Sequence, residues 1–329
     1  MRGPPPGGAP FRVSLERALA QVPRGRVTTY GDLARALGDV SAARAVGGEL
    51  ARNDRPLEVP CHRVVMADGS LGGYAFGGPR RKASALRAEG VEVSGGRVVR
   101  LDRLAVRDFD VPPVLAEMAE RQRGLAARVR LEPLRRPPKV VIGVDAAYRE
   151  GGACAAACVF DVGEGEPLQS ATVRFAPALP YIPGYLAFRE MEGLVAAVGK
   201  VDEEVRRHAV VLVDGQGILH PRRCGVASMV GLSLGVPSVG AAKSRLIGAE
   251  ADRPRRVHGH DAYRLRVDGE SRGARLGRAQ GGGAYISPGT GLSVAQAVAI
   301  AARLTRVGAR SPWPVAAADR ACRQGFASS

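Results

Sequence analysis

The first group of residues that could do covalent chemistry is the sequence PCHRV at 60–64, where Cys61 lies between a proline and His62. A histidine neighbour can lower the pKa of a thiol and make the sulfur a better nucleophile. A Cys-His pair alone is weak evidence, because a buried and inert cysteine is the ordinary alternative. The pair therefore indicates a nucleophilic cysteine only if its surroundings agree.

The second group consists of three acids in apolar surroundings. Asp145 ends the sequence VVIGVD, Glu190 lies in YLAFRE, and Asp214 ends VVLVD. Carboxylates beside buried strands are costly unless cations compensate them. Each aspartate alone could simply end a strand, but together the three predict a site where divalent ions activate water and stabilise a leaving oxygen.

Helices must position Cys61. The sequences FRVSLERALAQV, TTYGDLARALG and SAARAVGGELARN read as three helices, and the last two resemble a helix-turn-helix pair. We expect Thr28 or Thr29 to cap the first helix of that pair, Gly38 to end it, and Ser41 to cap the second. A glycine-rich turn and one more helix follow in GGYAFGGPRRKASALRAEGV.

A sheet must position the acids. We predict three strands in a meander from Lys139 onward, then a helix around Glu190, a buried strand ending at Asp214, another helix and another strand. A hairpin, a last strand at GAYISPG and a closing helix at SVAQAVAIAARLTR complete the pattern. Strands alternating with helices in this way predict a mixed α/β sheet.

The chain length predicts two domains. At 329 residues the chain exceeds one ordinary core. We expect a disordered Pro/Gly-rich leader over 1–10, a first domain over 11–95, a linker over 96–112 and a second domain over 113–325. The α/β multi-domain class follows from the helical first part and the mixed second part.

The charge favours a polyanionic partner. The formal net charge is +16, and arginine supplies most of it. Nucleic acid and an anionic membrane surface both fit, and a compositional bias toward arginine is a further alternative. No run of about 18 apolar residues is present, which weakens the membrane interpretation.

The cysteines bear on the compartment. The five cysteines form no CxxC pair, which argues against a disulfide framework and a zinc cluster. A reducing cytoplasm is therefore expected, and we expect a monomer that does not bind membranes.

Five sequence motifs around Cys61 follow one another along the chain: RVTTYGDLA, SAARAVGGELARN, VPCHRVV, GGYAFGG and LRAEGV. Over about 11–95 this series resembles the C-terminal domain of O6-alkylguanine-DNA alkyltransferases. The resemblance implies a winged-helix-like domain in which Cys61 takes an alkyl group irreversibly from O6 of a flipped guanine. Related proteins with tryptophan at that position only sense lesions, so Cys61 predicts transfer.

The same resemblance implies roles for further residues. His62, through a water to Glu89, would draw off the thiol proton. Arg44 would fill the space of the flipped nucleotide, Tyr30 would bear on a rotating phosphate, and Asn53 would link the helices to the active-site turn. The glycine-rich turn is one residue longer than usual, which leaves Tyr74 as the best candidate for contacting the base.

The second half of the chain contains the sequence motifs PYIPGYLAFRE, DGQGILHPRRCGVAS, GAAKS and ISPG. Over about 113–325 they resemble endonuclease V. The resemblance implies a ribonuclease-H-like fold and Mg²⁺-dependent nicking, with Mn²⁺ as a substitute, at the second phosphodiester 3′ to deoxyinosine. Asp145, Glu190 and Asp214 would be the catalytic metal ligands.

Other residues of this half receive roles by the same resemblance. Tyr181 would wedge into the duplex where the lesion leaves the stack. Gly215 and Gly217 would shape a tight pocket for hypoxanthine. His220 and Lys243 would contact the substrate strand.

One departure concerns the last predicted strand. The endonuclease V pattern reads SPGH there, with a histidine that helps position metal-bound water, whereas this chain has Thr290. Threonine cannot act as a base near neutral pH, which predicts slower cleavage or a shifted pH optimum.

Together these features predict a bifunctional DNA-repair enzyme acting on double-stranded DNA that contains O6-alkylguanine or deoxyinosine. Two alternatives stay open. One is a lesion-binding protein whose nuclease half is disabled by Thr290. The other is an inosine-specific RNA endonuclease.

Overall fold

The computed structural model describes residues 10–56, 58–149, 151–163, 166–251, 253–277 and 282–326. The chain divides into two compact units, Met1–Glu120 with Ala178–Pro183, and Arg121–Pro177 with Gly184–Ser329. The predicted leader lies outside the described residues except for Pro10, which begins the first helix.

The first unit is mainly helical, as predicted. Its helices are α1 (Pro10–Ala20), α2 (Tyr30–Ala36), α3 (Ala43–Ala51), α4 (Gly78–Ala88) and α5 (Leu101–Leu104), and α6 (Val114–Ala126) begins in this unit. Its strands are β1 (Thr28–Thr29), β2 (Val64–Val65), β3 (Val93–Ser94) and β4 (Arg97–Val98), and 3₁₀ turns span Val40–Ala42 and Cys61–Arg63. The helix-turn-helix pair corresponds to α2 and α3.

The caps of that pair are partly as expected. Thr29 caps α2 by accepting a hydrogen bond from Asp32 N at 3.0 Å, and Gly38 follows the helix with a φ of +101°. The expectation for Ser41 is wrong. Asp39 instead accepts from the backbone N–H of Ser41 at 2.9 Å and caps the 3₁₀ turn that precedes α3. The turn begins before Ser41, so Ser41 lies inside it, and the carboxylate of Asp39 reaches a free N–H of this turn.

The segment after residue 95 continues the first unit. β3 and β4 pair as a hairpin, and Val106 N donates to Val27 O at 2.7 Å. Val27 and Val98 belong to one apolar core with Leu86 of α4. The boundaries at 95 and 112 between acceptor domain, linker and nuclease domain stay predictions.

The second unit is a mixed α/β structure, as predicted. Its strands are β5 (Val140–Arg149), β6 (Gly152–Asp161), β7 (Gln169–Phe175), β8 (Ala209–Val213), β9 (Ser238–Ala242), β10 (Ala249–Glu250), β11 (Arg255–Val257), β12 (His260–Val267), β13 (Glu270–Gly277) and β14 (Gly283–Thr290). Its helices are α7 (Leu186–Gly199), α8 (Glu203–Arg207), α9 (Val226–Leu234), α10 (Val294–Arg303) and α11 (Trp313–Gly325). Among the described residues, no helix is both long and apolar enough to cross a membrane.

These strands form one sheet in the order β10-β12-β13-β14-β9-β8-β5-β6-β7, with β11 also paired to β12. The predicted meander is β5-β6-β7 and the predicted hairpin is β12-β13. Both faces are covered: α10 and α11 pack on one core, and α7 and α9 pack on the other. A sheet buried on both faces explains the near-continuous apolar sequences of β5 and β8.

The register places two of the acids side by side. β5 and β8 run parallel, and Val144 pairs with Val213. Asp145 and Asp214 each follow these partners directly along the chain, so they meet on neighbouring strands.

The expectation that the helix at 293–306 closes the fold is wrong, because α11 follows it and packs across β5 and β6. A Cβ at Gly143 of β5 would collide with the backbone of Pro314 in α11. The absence of a side chain at Gly143 therefore allows α11 to lie directly on the strand that carries Asp145.

Candidate active sites

Cys61 begins the 3₁₀ turn Cys61–Arg63 in the first unit and is 5% exposed. The buried amide of Asn53 donates from Nδ2 to Val59 O at 3.1 Å and to Cys61 Sγ at 3.3 Å. Asn53 thus holds the turn in place and contacts the sulfur itself, as its predicted linking position requires.

His62 and Glu89 are in direct contact, with Nε2 and Oε1 2.9 Å apart, so the expectation of a water between them is wrong. Arg63 forms a bidentate pair with the same carboxylate at 2.9 and 2.8 Å, and its Nη1 donates to Val22 O at 2.7 Å. Burial alone would raise the pKa of Glu89, but the hydrogen bonds from Arg63 and His62 outweigh it and lower that pKa to about 2. Glu89 is therefore an anion that orients the imidazole of His62, the residue next to Cys61.

A cavity of about 660 Å³ opens beside Cys61. Tyr30, Arg44 and Tyr74 line it, so the structure brings the predicted DNA-contacting side chains of this unit together at the cysteine. Arg44 is exposed on α3, whereas the phenols of Tyr30 and Tyr74 are part-buried. Burial, and secondarily Cys61, raise the pKa of both tyrosines, which keeps them neutral donors.

Sequence reasoning missed Lys82, which is fully buried. Its Nζ donates to Leu71 O at 2.6 Å and to Gly73 O at 3.1 Å, and lies 5.8 Å from the centre of the Tyr30 ring. Burial lowers the pKa of Lys82 to about 8, although the nearby Cys61 opposes that shift. The chain has few lysines, and the position of Lys82 on the apolar face of α4 was the sequence signal that could have indicated its burial.

The Glu89 network predicts an acid-sensitive first unit. Because the folded pKa of Glu89 lies below its ordinary value of 4.5, its stabilisation is fully present above that value and is lost as the pH falls through about 2. Glu89→Gln should lower the free energy of unfolding of this unit by about 3 kcal/mol near pH 7, because Arg63 stays buried without its anion. Urea unfolding across pH, read by hydrogen exchange of peptides from residues 11–95, measures this.

Glu92→Gln is the matched control for that prediction. Glu92 lies in the same unit and is exposed. Among the described residues, the only ion-pair partner of its carboxylate is Arg100 at 3.4 Å. Equal losses for the two variants, or a Glu89→Gln unit as stable as the wild type, would contradict the role of the buried network.

In the second unit, Asp145, Glu190 and Asp214 line one cavity of about 370 Å³. β5 supplies Asp145, α7 supplies Glu190, and Asp214 follows β8. Burial first, and Asp214 second, raise the pKa of Asp145. Burial likewise raises the pKa of Glu190 to about 7. The sheet and α7 thus crowd three carboxylates into one poorly solvated place.

Two side chains, Lys243 and Tyr148, bind carboxylates of this cavity. Lys243 forms an ion pair with Asp214, and its Nζ is 3.8 Å from Asp145. Tyr148 donates from its hydroxyl to Glu190 Oε1 at 2.6 Å. Burial alone would lower the pKa of Lys243, but Asp214 and Asp145 outweigh it and raise that pKa.

The donor set fits a hard divalent cation. All three side chains offer oxygen ligands, which Mg²⁺ and other hard divalent cations prefer. Within the described part of the chain, however, no three His, Cys, Asp or Glu side chains stand in a metal-holding arrangement. Lys243 pairs with Asp214 in this structure, so cation binding at Asp214 requires that ion pair to break.

Asp319 is a fourth acid of this cavity that sequence reasoning missed. It lies on α11, is bound by Arg323 Nε at 3.1 Å, and contributes to the raised pKa of Asp145. The signal was an acid in an otherwise Ala- and Arg-rich segment, which becomes meaningful only once α11 is known to pack on β5.

The expectation that Thr290 stands beside the carboxylates is wrong. Thr290 pairs with Ser238 at the start of β9, whereas Lys243 follows the other end of that strand. Its hydroxyl accepts a hydrogen bond from Arg130 N at 3.1 Å, and it does not line the carboxylate cavity. The direction of β14 carries its last residue away from the acids.

His220 is buried rather than presented to a strand. Its Nε2 lies 3.1 Å from Gly184 O, and its Nδ1 accepts from Arg222 N at 3.1 Å. Burial, and then Arg222, lower the pKa of His220 to about 4, so the ring is neutral. Fully buried Gln122 of α6 accepts from Arg222 Nε at 2.7 Å. In this geometry His220 positions backbone after the PYIP sequence instead of contacting phosphate.

The glycines at 215 and 217 lie in tightly packed backbone. A Cβ at Gly217 would collide with the carbonyl of Pro288, and Gly217 N donates to Ser287 Oγ at 2.9 Å. The intervening Gln216 is buried, and its Oε1 has no partner among the described residues. Tyr181, the predicted wedge, is 64% exposed.

Comparisons with known proteins agree with both halves. The family model "Endonuclease V" matches residues 123–320, and "6-O-methylguanine DNA methyltransferase, DNA binding domain" matches residues 10–91. A bifunctional methyltransferase/endonuclease of Picrophilus torridus is 39% identical over 235 residues, which are 71% of this chain and 75% of that protein. A protein of the same name from Thermoplasma volcanium is 34% identical over 287 residues, covering 86% and 81%.

This chain belongs to the bifunctional methyltransferase/endonuclease family. Solved structures support the second half of this bifunctional chain. Endonuclease V of Streptomyces avermitilis is 31% identical with a TM-score of 0.56, covering 64% of this chain and 92% of that one. The catalytic domain of human endonuclease V is 29% identical with a TM-score of 0.57, covering 65% and 97%.

This chain is thus a DNA-repair enzyme that pairs an alkyltransferase domain with an endonuclease V domain, and DNA is its partner. Endonucleases V depend on a metal. These statements agree with the two separate groups of residues found at Cys61 and at Asp145.

Proposed function

We propose that Cys61 irreversibly accepts the alkyl group of O6-alkylguanine in double-stranded DNA. The observation that carries this proposal is the contact of Cys61 Sγ with Asn53 at an open cavity, together with the pairing of the next residue, His62, with Glu89. A cysteine that only packed a core would need neither an oriented histidine nor an open cavity.

The transfer step follows from this geometry. His62, oriented by Glu89, takes the proton of the thiol, and Cys61 Sγ attacks the alkyl carbon. An S–C bond forms, the C–O6 bond breaks, and its electron pair leaves with the guanine, which takes up one proton overall. Arg44 and Tyr30 contact the distorted strand and offset part of the unstacking cost.

We propose that Asp145, Glu190 and Asp214 hold Mg²⁺, or Mn²⁺ in its place, and that the second unit nicks DNA at the second phosphodiester 3′ to deoxyinosine. When bound, a divalent cation would supply positive charge that activates water and stabilises the leaving oxygen. The supporting observation is the gathering of three carboxylates, two buried and one half-buried, in one cavity with Lys243. Lys243, displaced from Asp214, is then free to contact a phosphate.

The segment around Gly215 and Gly217 would bind the edge of the hypoxanthine base. Gln216 offers a buried acceptor that has no partner among the described residues, which matches the N1–H that hypoxanthine has and adenine lacks. Tyr181 is exposed as a wedge must be. A single-turnover nicking assay on inosine duplexes with and without Mg²⁺ tests this half; cleavage of inosine RNA in preference to DNA would overturn the choice of substrate.

Variants of Thr290 and Asp319 distinguish the nuclease site seen in the structure, which includes Asp319, from the site expected from the sequence, which included Thr290. Thr290→His should leave the nicking rate unchanged within about twofold, because the side chain lies away from the acids. Asp319→Ala should slow nicking by about a hundredfold, because it removes a polar group that lines the carboxylate cavity. Single-turnover rates on one inosine duplex give both values. A large gain from the histidine, with no loss from the alanine, would restore the original expectation.

A further inference from the structure

A second groove lies in the second unit, outside the carboxylate cavity, where β11 and β12 form an edge of the sheet beside α10. Its volume is about 620 Å³. The carboxylates do not line it, and β12 is five strands from β5 in the sheet order. Its chemistry is therefore not part of the nicking site.

The strand register explains how the groove is built. Arg255 pairs with Ala262, and Arg264 pairs with Ala274. Directly paired residues project from the same face of a sheet, so both arginines share a face with the two alanines. Ala262 and Ala274 belong to the core beneath α10 and give the groove a low apolar floor, and Val298 of α10 forms a wall.

The arginines of this groove lack acidic partners. Within the described ranges, Arg253, Arg255 and Arg264 form no ion pair, although neighbouring arginines do. Arg256 pairs with Asp261 at 2.8 Å, and Arg275 pairs with Glu250 at 2.9 Å. Three uncompensated guanidinium groups around one concavity repel one another, and an anionic ligand would relieve that repulsion.

We propose that this groove, formed by Arg253, Arg255 and Arg264 over Ala262 and Ala274, binds the sugar–phosphate backbone of the DNA substrate away from the nicking site. It extends the proposed nuclease function by adding a second contact to the same DNA. Guanidinium forks match phosphate oxygens, and a small apolar floor admits a deoxyribose. A flat lipid surface cannot reach the recessed floor of the groove. An acidic protein segment is the alternative occupant, and the test below separates it from DNA.

The matched pair Arg255→Ala and Arg256→Ala tests the proposal in the full chain. Both variants remove one charge from β11, but the two side chains project from opposite faces of the strand. On a lesion-free duplex, Arg255→Ala should lower the slope of log Kd against log salt by about 0.9, the value for one lost phosphate contact, and Arg256→Ala should leave it unchanged.

The double variant Arg255→Ala/Arg264→Ala extends the test to catalysis. The KM for an inosine duplex should rise about tenfold while kcat stays unchanged, because the contact precedes and outlasts the nick. Arg255→Glu, on an exposed side chain, should weaken binding further and keeps the test decisive if the double variant folds poorly.

Equal salt slopes for Arg255→Ala and Arg256→Ala would overturn the proposal, and so would an unchanged KM in a folded double variant. Either result would also favour an acidic protein as the occupant. Failure of the nuclease proposal is distinguishable, because salt slopes on lesion-free DNA do not depend on nicking. A wild type that does not nick, but shows the slope difference, would keep the groove and remove the nuclease.

Discussion

Replacing Cys61 with serine should abolish methyl transfer from O6-methylguanine DNA, with the rate reduced at least about a thousandfold. A hydroxyl is close in size to the thiol and can still accept the hydrogen bond that Asn53 Nδ2 donates to Sγ at 3.3 Å. It is a far weaker nucleophile, because almost none of it ionises near neutral pH. Mass spectrometry of the intact chain after incubation with the methylated duplex measures the transfer.

The control for this variant is one of the buried cysteines of the second unit. Cys158→Ser leaves the cavity beside Cys61 untouched, since Cys158 lies in the core of the nuclease sheet. We expect one methyl per chain in this control and in the wild type, and none in Cys61→Ser. A methyl found on Cys158, or on Cys61→Ser chains, would rule out Cys61 as the acceptor.

Replacing Asp214 with asparagine should slow nicking of inosine DNA by about a thousandfold or more. The substitution keeps the shape of the side chain but removes the charge that pairs with Lys243 and that a divalent cation would need. Removal of divalent ions with a chelator should have an equally large effect on the wild type. Single-turnover nicking with saturating enzyme separates this loss of rate from a loss of DNA binding.

Glu192→Gln is the matched control for Asp214→Asn. Glu192 is an exposed carboxylate on α7, two residues from Glu190, and it does not line the carboxylate cavity. It should nick as fast as the wild type. Nicking by Asp214→Asn at the rate of this control would remove the carboxylate site from the mechanism.

The neighbourhood of Cys61 could be predicted well from sequence because it is short and ordered. Asn53, Cys61 and Glu89 lie within one stretch whose motifs imply a single fold, and the structure brings them together through one turn and one helix end. The role of Lys82 was missed because a lysine on an amphipathic helix ordinarily keeps its ammonium in water, and the sequence does not show that the carbonyls of Leu71 and Gly73 accept from it.

The nuclease site was predictable in its acids but not in its surroundings. Asp145 follows the apolar residues of β5 and Asp214 follows β8, a pattern that places the two acids together in a parallel pair. Thr290 was misplaced because its position depends on the direction and register of β14, which a motif does not reveal. Asp319 was missed because the segment that forms α11 was not recognised as a helix, so its apolar residues were not expected to pack on β5.

The central claim is that two independent active sites share this chain. It is tested most directly on one duplex that carries both O6-methylguanine and deoxyinosine, incubated with the wild type, Cys61→Ser and Asp214→Asn. Wild type should take one methyl and nick the inosine strand, Cys61→Ser should nick without taking a methyl, and Asp214→Asn should take a methyl without nicking. Loss of both activities in either folded variant, or neither activity in the wild type, would contradict two separate sites.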